Sequence, residues 1–244
     1  MASNSETGHA VNISNFKLMI DKCAGFGAAY NPSNPDITVA SMTAKWTAAD
    51  TAHATMTAAL QGSKGPVNAR EELYKPTGKL VTRVLNIANS TKASKQFKKD
   101  AKGLADRFRG FGVKVKYLPD GTPDPSHVST SHQSYVQKAD TFKQLVDLLE
   151  GEPLYAPNEA MFTIATLRAL STQMKTANDN IGTILAPVDN ARIARDRALY
   201  DEEDGVLVRA AACKDYVQGA SGFTSAEAKL VTKIRFTKPK KLNP

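Results

Sequence analysis

Apolar residues recur every three or four positions along most of the chain, which is the spacing of a helix that buries one face. Between residues 39 and 60 every position at this spacing is apolar except His53. The same spacing returns between residues 164 and 185, where Ser171 and Asn178 are the polar members. Alternating steps of three and four are typical of helices packed in a left-handed bundle. Both segments are therefore predicted to be packed helices.

The chain also repeats itself at an offset of about 126 residues. The matching segments are 16–21 with 142–147, 37–42 with 162–167, 73–74 with 199–200, and 80–83 with 206–209. Chance does not supply an ordered series at a nearly constant offset. We therefore predict two related halves, residues 1–110 and 136–244, joined by a linker at 111–135. A period this long indicates domain duplication rather than a short-repeat solenoid.

Each half is predicted to hold four helices, which gives an all-α, internally duplicated up-and-down four-helix bundle of about eight helices. Proline and glycine disrupt helices, so the third helix of each half is expected to bend at Lys75-Pro76 and at Asp204-Gly205. The first helices are predicted at 14–29 and 138–151, and the second helices open at Asn34-Pro35-Asp36 and at Pro157-Asn158-Glu159. The third helices are predicted at 66–90 and 188–218. The fourth helix of the first half carries Phe97 to Phe108, and that of the second half begins at a capping box, Thr224–Glu227. In the linker, the alternation at 113–117 allows one short strand or hairpin.

Seven short motifs are spread over most of the chain. They are Asn31-Pro-Ser-Asn-Pro35, Ala69-Arg-Glu-Glu-Leu-Tyr-Lys-Pro76, Lys79-Leu-Val-Thr-Arg-Val-Leu85, Ala93-Ser-Lys-Gln-Phe97, Tyr155-Ala-Pro-Asn-Glu159, Asn190-Ala-Arg-Ile-Ala-Arg195 and Phe236-Thr-Lys-Pro-Lys240. Together they resemble a bacterial family of uncharacterised, duplicated all-helical proteins. The resemblance implies the architecture only, with no activity, ligand or catalytic residue.

Composition excludes several classes of protein. Of the 244 residues 41% are apolar, as in ordinary globular chains, and no apolar run approaches the roughly 18 residues of a membrane span. The start of the chain lacks the pattern of a signal peptide, so a cytoplasmic protein without a membrane contact is expected. Two cysteines, Cys23 and Cys213, exclude a disulfide scaffold and a four-cysteine zinc site, and are interpreted as small core residues.

The polar residues on the predicted helical seam are the first candidates for a site. His53 and Asn178 occupy the same step in the two halves, which indicates a buried polar layer that fixes helix register. Asp50 and His53, three residues apart, offer a second interpretation as two metal ligands. A di-iron bundle needs Glu-x-x-His on two helices, and that motif is absent from the sequence. No metal or cofactor is therefore predicted.

Arginine recurs among apolar neighbours at Arg83 and Arg209, and a buried guanidinium needs a charged partner. Asp21 and Asp147 also recur at matching places. We predict the contacts Asp21–Arg83 and Asp147–Arg209, one in each half. The alternative is that both arginines extend to water along their aliphatic stems.

The charge of the chain is uneven. Its formal net charge is +8, and nine Lys and Arg oppose two Asp between residues 92 and 116, while six Lys and Arg face no acid between 229 and 241. The candidate basic residues on the two fourth helices are Lys95, Lys98, Lys99, Lys102, Lys233, Arg235, Lys238, Lys240 and Lys241. One interpretation is that they form a surface that binds nucleic acid or another polyanion. The other is that they only keep the protein soluble and interact favourably with the negative ends of the helix dipoles.

No catalytic motif is present: the sequence has no Gly-x-Ser-x-Gly elbow, no phosphate-binding loop and no dinucleotide fingerprint. The expected function is therefore a non-enzymatic helical scaffold or protein-interaction module. The alternatives are weak nucleic-acid or polyanion binding through the basic fourth helices, and an enzyme whose site is assembled only in space.

Overall fold

The computed structural model describes residues 8–111, 118–122 and 133–238, and every regular element in these ranges is helical. The predicted all-α class is confirmed for this part of the chain. Short 3-10 turns at Gly27–Ala29, Pro35–Ile37 and Ala160–Phe162 accompany the α-helices. The α-helices are α1 (His9–Gly25), α2 (Val39–Tyr74), α3 (Thr77–Ser90), α4 (Lys95–Arg109), α5 (Tyr135–Glu150), α6 (Ile164–Asp179), α7 (Ile181–Tyr200), α8 (Val206–Ser221) and α9 (Ala226–Thr232). The predicted strand at 113–117 lies outside the described residues.

The chain divides into two compact units, and the division does not follow the predicted halves. The first unit joins residues 1–63 with 185–244, and the second is the continuous segment 64–184. Helix α2 thus gives its first part to the first unit and its last part to the second, and α7 is likewise shared. The repeat halves 1–110 and 136–244 stay a prediction about the sequence.

The first unit is built around α1, which packs against α8 and α9. Its core contains side chains with no exposed surface from α1, α2, α7, α8 and α9, among them Phe16, Met42 and Cys213. Cys23 is equally buried, so the interpretation of both cysteines as core residues is confirmed. Burial of this kind of apolar surface is the main force that holds such a unit together.

In the second unit α3, α4, α5 and α6 pack in chain order, each against the next. The face of α4 predicted from its three-and-four spacing is the buried one, with Phe97, Ala101 and Phe108 pointing into the core. The rings of Phe108 and Phe142 lie 6.0 Å apart, centroid to centroid. These contacts hold the end of α4 close to α5.

Both predicted bends of the third helices are confirmed, whereas the predicted starts of these helices at residues 66 and 188 are wrong. Helix α2 ends at Tyr74 and α3 begins at Thr77, as Pro76 predicts, and the Gly205 region separates α7 from α8. However, α2 continues through Pro66, and α7 begins at Ile181 and continues through Pro187. Pro66 removes only the N–H that would reach the carbonyl of Gly62, and both residues are exposed, so water can replace that hydrogen bond.

The ends of two other predicted helices also need correction. Asn34 caps a 3-10 turn, its side chain accepting a hydrogen bond from the Asp36 amide, and the α-helix starts only at Val39. At α9 the capping side chain is Ser225 rather than Thr224, because it is the Ser225 hydroxyl that accepts from the Ala228 amide. Helix α9 is then only seven residues long.

Candidate anion-binding pocket

Four helix ends of the second unit meet around a cavity of about 440 Å³. Pro76 ends α2, so α3 begins beside it, and Gly110 ends α4 in the left-handed conformation at φ 78° that glycine adopts without strain. Ser134 caps the start of α5 by accepting from the Gln137 amide. The lining residues are Glu71, Tyr74, Lys75, Gly78, Lys79, Thr82, Phe108, Arg109, Tyr135 and Lys138.

Positive charge dominates this cavity, since four of its side chains are cationic and one is a carboxylate. Lys75 is paired at the surface with Glu72, with 3.2 Å between Nζ and Oε1. Lys79 and Lys138 make no ion pair with any residue that the structure describes. Their ammonium groups thus keep their donors for a bound anion.

Arg109 is fixed rather than free. Its guanidinium donates to the Thr82 hydroxyl at 3.0 Å, to the Ala105 carbonyl at 3.1 Å and to the Asp106 carboxylate at 2.6 Å. Hydrogen bonds from Lys102 and Arg109 lower the pKa of Asp106, so this carboxylate stays charged at neutral pH. Arg109 therefore contributes a permanent positive charge in one position, only 16% exposed.

Two tyrosines form the aromatic wall of the cavity. The rings of Tyr74 and Tyr135 meet edge to face with centroids 4.7 Å apart, and the Arg70 guanidinium lies 4.4 Å from the Tyr135 centroid. Burial raises the pKa of Tyr74, whose hydroxyl stays protonated and donates to the Tyr135 carbonyl at 2.9 Å. The two rings give one side of the cavity a partly apolar surface.

The two residues of the predicted polar layer, His53 and Asn178, belong to different units, and each is partly buried. Asn178 donates to the Tyr74 hydroxyl at 2.8 Å and to the Tyr135 carbonyl at 3.0 Å, so it supports the aromatic wall. His53 lines a groove of about 460 Å³ between α1 and α2, together with Trp46 and Asp50. Asn178 Oδ1 and His53 Nδ1 are both buried without a hydrogen-bond partner. Their role in helix register stays a prediction.

Each predicted arginine–aspartate pair joins residues that belong to different units, and the pairings stay predictions. Inside its own unit each residue has another neighbour. Arg83 is exposed and lies over the Phe162 ring at 4.8 Å, which fits the solvated alternative, and Asp21 pairs with Lys17. The remaining contacts are Asp147 with Lys143 and Arg168, and Arg209 with Asp204, Asp36 and Ser41.

Arg209 illustrates how a half-buried guanidinium is satisfied without the predicted partner. Its side chain is 12% exposed, and it donates to Asp204 at 2.5 Å and to the Ser41 hydroxyl at 2.7 Å. Hydrogen bonds from Lys45 and Arg209 lower the pKa of Asp204. The requirement for a charged partner that motivated the prediction is therefore met by a residue five positions earlier.

The predicted basic patches differ between the two units. On α4, Lys95 and Lys99 are exposed without an ion pair in the described ranges, while Lys98 donates to the Thr91 carbonyl and Lys102 pairs with Asp106. In the first unit the predicted fourth helix ends too early to carry its patch. Lys233, Arg235 and Lys238 follow α9 and are exposed, and Lys240 and Lys241 lie outside the described residues.

A polar cluster in the first unit had no signal in the sequence. The Tyr200 hydroxyl lies 2.8 Å from His9 Nδ1, and the buried Asn12 amide donates to the same hydroxyl at 3.3 Å. Arg195, itself buried, donates twice to Asp196. Burial and the nearby Arg195 lower the pKa of His9. These residues are up to 191 positions apart, so only the fold brings them together.

Metal clusters and membrane-spanning helices are absent from the residues that the structure describes. Within 8–111, 118–122 and 133–238 no three His, Cys, Asp or Glu side chains are grouped so that they could hold a metal ion. None of the helices described is both long enough and apolar enough to cross a membrane. The lining of the basic cavity contains neither histidine nor cysteine among the residues that the structure describes.

Comparison with family models, with curated proteins and with solved structures gives no significant match to this chain. The resemblance to a duplicated bacterial family therefore stays a prediction, and the functional argument rests on geometry.

Proposed function

We propose that this protein is a non-enzymatic helical binding protein whose second unit binds a small phosphate-bearing anion in the cavity lined by Lys79, Arg109 and Lys138. The observation that carries the proposal is that four cations and one carboxylate line a concave, partly aromatic surface, and that two of these cations, Lys79 and Lys138, have no ion pair within the described ranges. The sequence predicted an interaction module without a ligand, and the proposal assigns it a class of ligand, small anions that carry phosphate.

The energetics favour binding over a general surface attraction. A fixed guanidinium and two uncommitted ammonium groups act on the same small volume, and their attraction for an anion adds up there. Because Lys79 and Lys138 have no ion pair within the described ranges, a ligand does not first have to break one. Arg109 loses little side-chain entropy on binding, since its hydrogen bonds already hold it in place.

We further propose that the chain arose by duplication of an up-and-down four-helix bundle, and local geometry supports this. Tyr30 donates to the carbonyl of Ile37 at 2.6 Å, and Tyr155 donates to the carbonyl of Phe162 at 3.1 Å. Each tyrosine thus closes the connection between the first two helices of its predicted half across seven residues. The two hydrogen bonds lie 125 residues apart, as the sequence repeat requires.

If the halves are copies, they have diverged at the cavity. The positions 126 residues away from Lys75, Gly78 and Lys79 hold Asp201, Asp204 and Gly205. An anion would be repelled by these carboxylates, so we assign the binding activity to the second unit only.

Titration calorimetry with inorganic phosphate and with pyrophosphate tests the proposal. The double variant Lys79→Gln/Lys138→Gln should weaken binding by about tenfold or more, because charge-assisted hydrogen bonds are lost. The matched control is Lys95→Gln/Lys99→Gln, which removes the same charge from exposed positions on α4. Unchanged melting temperatures establish that both variants are folded. Absence of saturable binding by the unaltered protein, or equal weakening in both variants, would refute the assignment.

The exposed lysines of α4 support a second candidate, weak binding of a nucleic acid or another polyanion. Its affinity would fall steeply with salt, since each phosphate contact releases a counterion. On a heparin column, Lys95→Gln/Lys99→Gln would then elute at clearly lower salt than the unaltered protein. Equal elution of the two would leave the cavity as the anion site.

A further inference from the structure

The two cysteines of the chain are in contact, although 190 residues separate them. Cys23 on α1 and Cys213 on α8 have no exposed surface, and their Sγ atoms lie 3.4 Å apart. Both belong to the core of the first unit, where α1 packs directly against α8. A disulfide has an S–S bond of about 2.05 Å, so the sulfurs need to approach by only about 1.4 Å.

A third side chain fixes the position of this pair. The Tyr30 hydroxyl donates to the Ile37 carbonyl at 2.6 Å and lies 3.4 Å from Cys213 Sγ. Since its single proton goes to the carbonyl, the tyrosine oxygen accepts from the Cys213 thiol, and Cys213 in turn accepts from Cys23. The three groups form one hydrogen-bonded chain across the interface of α1 and α8, and this chain keeps the two sulfurs side by side.

Packing alone does not require two thiols here. Under the repeat proposed above, the corresponding positions in the second unit hold Leu149, a fully buried core residue, and Ile87, which is partly buried and packs against that core. Apolar side chains therefore occupy both corresponding positions. The thiols of the first unit add a chemical property that the second unit lacks.

We propose that Cys23 and Cys213 are a redox pair that hydrogen peroxide converts to an intramolecular disulfide joining α1 to α8. One thiol loses its proton, attacks a peroxide oxygen and becomes a sulfenic acid, while the hydroxide released takes the proton and leaves as water. The second sulfur then attacks the sulfenic sulfur, and its proton departs with the hydroxyl group as a second water. Two thiols are oxidised by two electrons in all, and one peroxide is reduced to two waters.

The environment of the pair determines its rate and its product. The hydrogen bond with Cys213 and burial raise the pKa of Cys23, and both thiols have no exposed surface, so peroxide reaches the pair during local opening of α1. Oxidation is consequently slower than at an exposed thiol. When the helix closes again, the neighbouring sulfur is much closer than any second protein molecule, which directs the sulfenic acid to the internal disulfide.

The test uses the full chain treated with hydrogen peroxide, followed by alkylation under denaturing conditions and non-reducing peptide mapping by mass spectrometry. The expected result is a peptide pair linked through Cys23 and Cys213 in monomeric protein, which disappears on reduction. Because the bond closes a loop of about 190 residues, the melting temperature of the oxidised protein should rise by about 5 °C or more.

The variants Cys23→Ala and Cys213→Ala are the matched controls, and neither should gain stability on oxidation. Two outcomes would overturn the proposal: both thiols alkylated in full after the peroxide treatment, or oxidation that stops at sulfinic acids or at disulfides between molecules. Urea titration of each reduced variant shows whether it is folded, and the mapping of the unaltered protein is decisive even where a variant is not.

Discussion

Replacement of Asn12 by alanine should release the chain segment that follows α9. The Asn12 amide, only 1% exposed, donates to the Thr237 carbonyl at 2.8 Å and accepts from the Thr237 amide at 3.1 Å. It also donates to the Tyr200 hydroxyl at 3.3 Å. With about 1 kcal/mol for each hydrogen bond, the truncation costs about 2–3 kcal/mol. Alanine returns about 0.5 kcal/mol through its higher helix propensity, so the net loss is about 2 kcal/mol.

Asn15 provides the matched control for this experiment. It lies on the same helix and makes one exposed hydrogen bond, to the Arg235 carbonyl at 2.8 Å. Asn15→Ala has the same gain in helix propensity but loses only one exposed hydrogen bond, so its free energy of unfolding should stay close to that of the unaltered protein. Any difference between the two variants therefore reports the buried contacts of Asn12.

Hydrogen exchange of the Thr237 amide, followed by NMR, measures the effect directly. A loss of about 2 kcal/mol corresponds to a roughly 30-fold faster exchange in Asn12→Ala, because 1.4 kcal/mol is a factor of ten. In Asn15→Ala the exchange of this amide should stay within about threefold of the unaltered protein. Equal acceleration in the two variants, or none in Asn12→Ala, would refute the reasoning.

Two further predictions concern the first unit. Burial lowers the pKa of His9, so the unfolded chain takes up a proton at higher pH than the folded chain, and stability should fall as the pH drops below about 6.5. Between pH 5 and 8 the melting temperature of His9→Gln should therefore change less with pH than that of the unaltered protein. Parallel pH profiles of the two proteins would contradict this. Gly205→Ala should lose about 2 kcal/mol in urea titrations, because its Cβ would stand 2.5 Å from the Asp201 carbonyl oxygen. Gly103→Ala on α4, whose Cβ meets nothing within 4 Å, should instead gain up to about 1 kcal/mol, and a loss at both positions would show that sterics are not the cause.

Local features of the fold were accessible from the sequence. The buried face of α4 and the break at Pro76 follow from spacing and from proline geometry, which act over a few residues. The predicted helix start at residue 66 was wrong, because the effect of Pro66 depends on whether the freed carbonyl of Gly62 can reach water, and a local pattern does not show exposure.

The candidate pocket was much less accessible. Arg109 was noted as part of a basic segment, but Lys79 and Lys138 carried no signal, since each is one lysine on a predicted helix. Their importance arises from the meeting of the ends of α2, α3, α4 and α5 around one cavity. A basic helix can be read along the chain, whereas a basic pocket depends on which helix ends become neighbours.

The sequence by itself determined that the chain is helical, which faces of its helices are apolar, and where its positive charge is concentrated. These properties depend on residues three or four positions apart. The tertiary structure alone decided that Cys23 meets Cys213, that Asn12 holds Thr237, and that the compact units cut across the predicted halves. The reason is that contacts between distant segments depend on how helices pack, and similar apolar faces allow many arrangements.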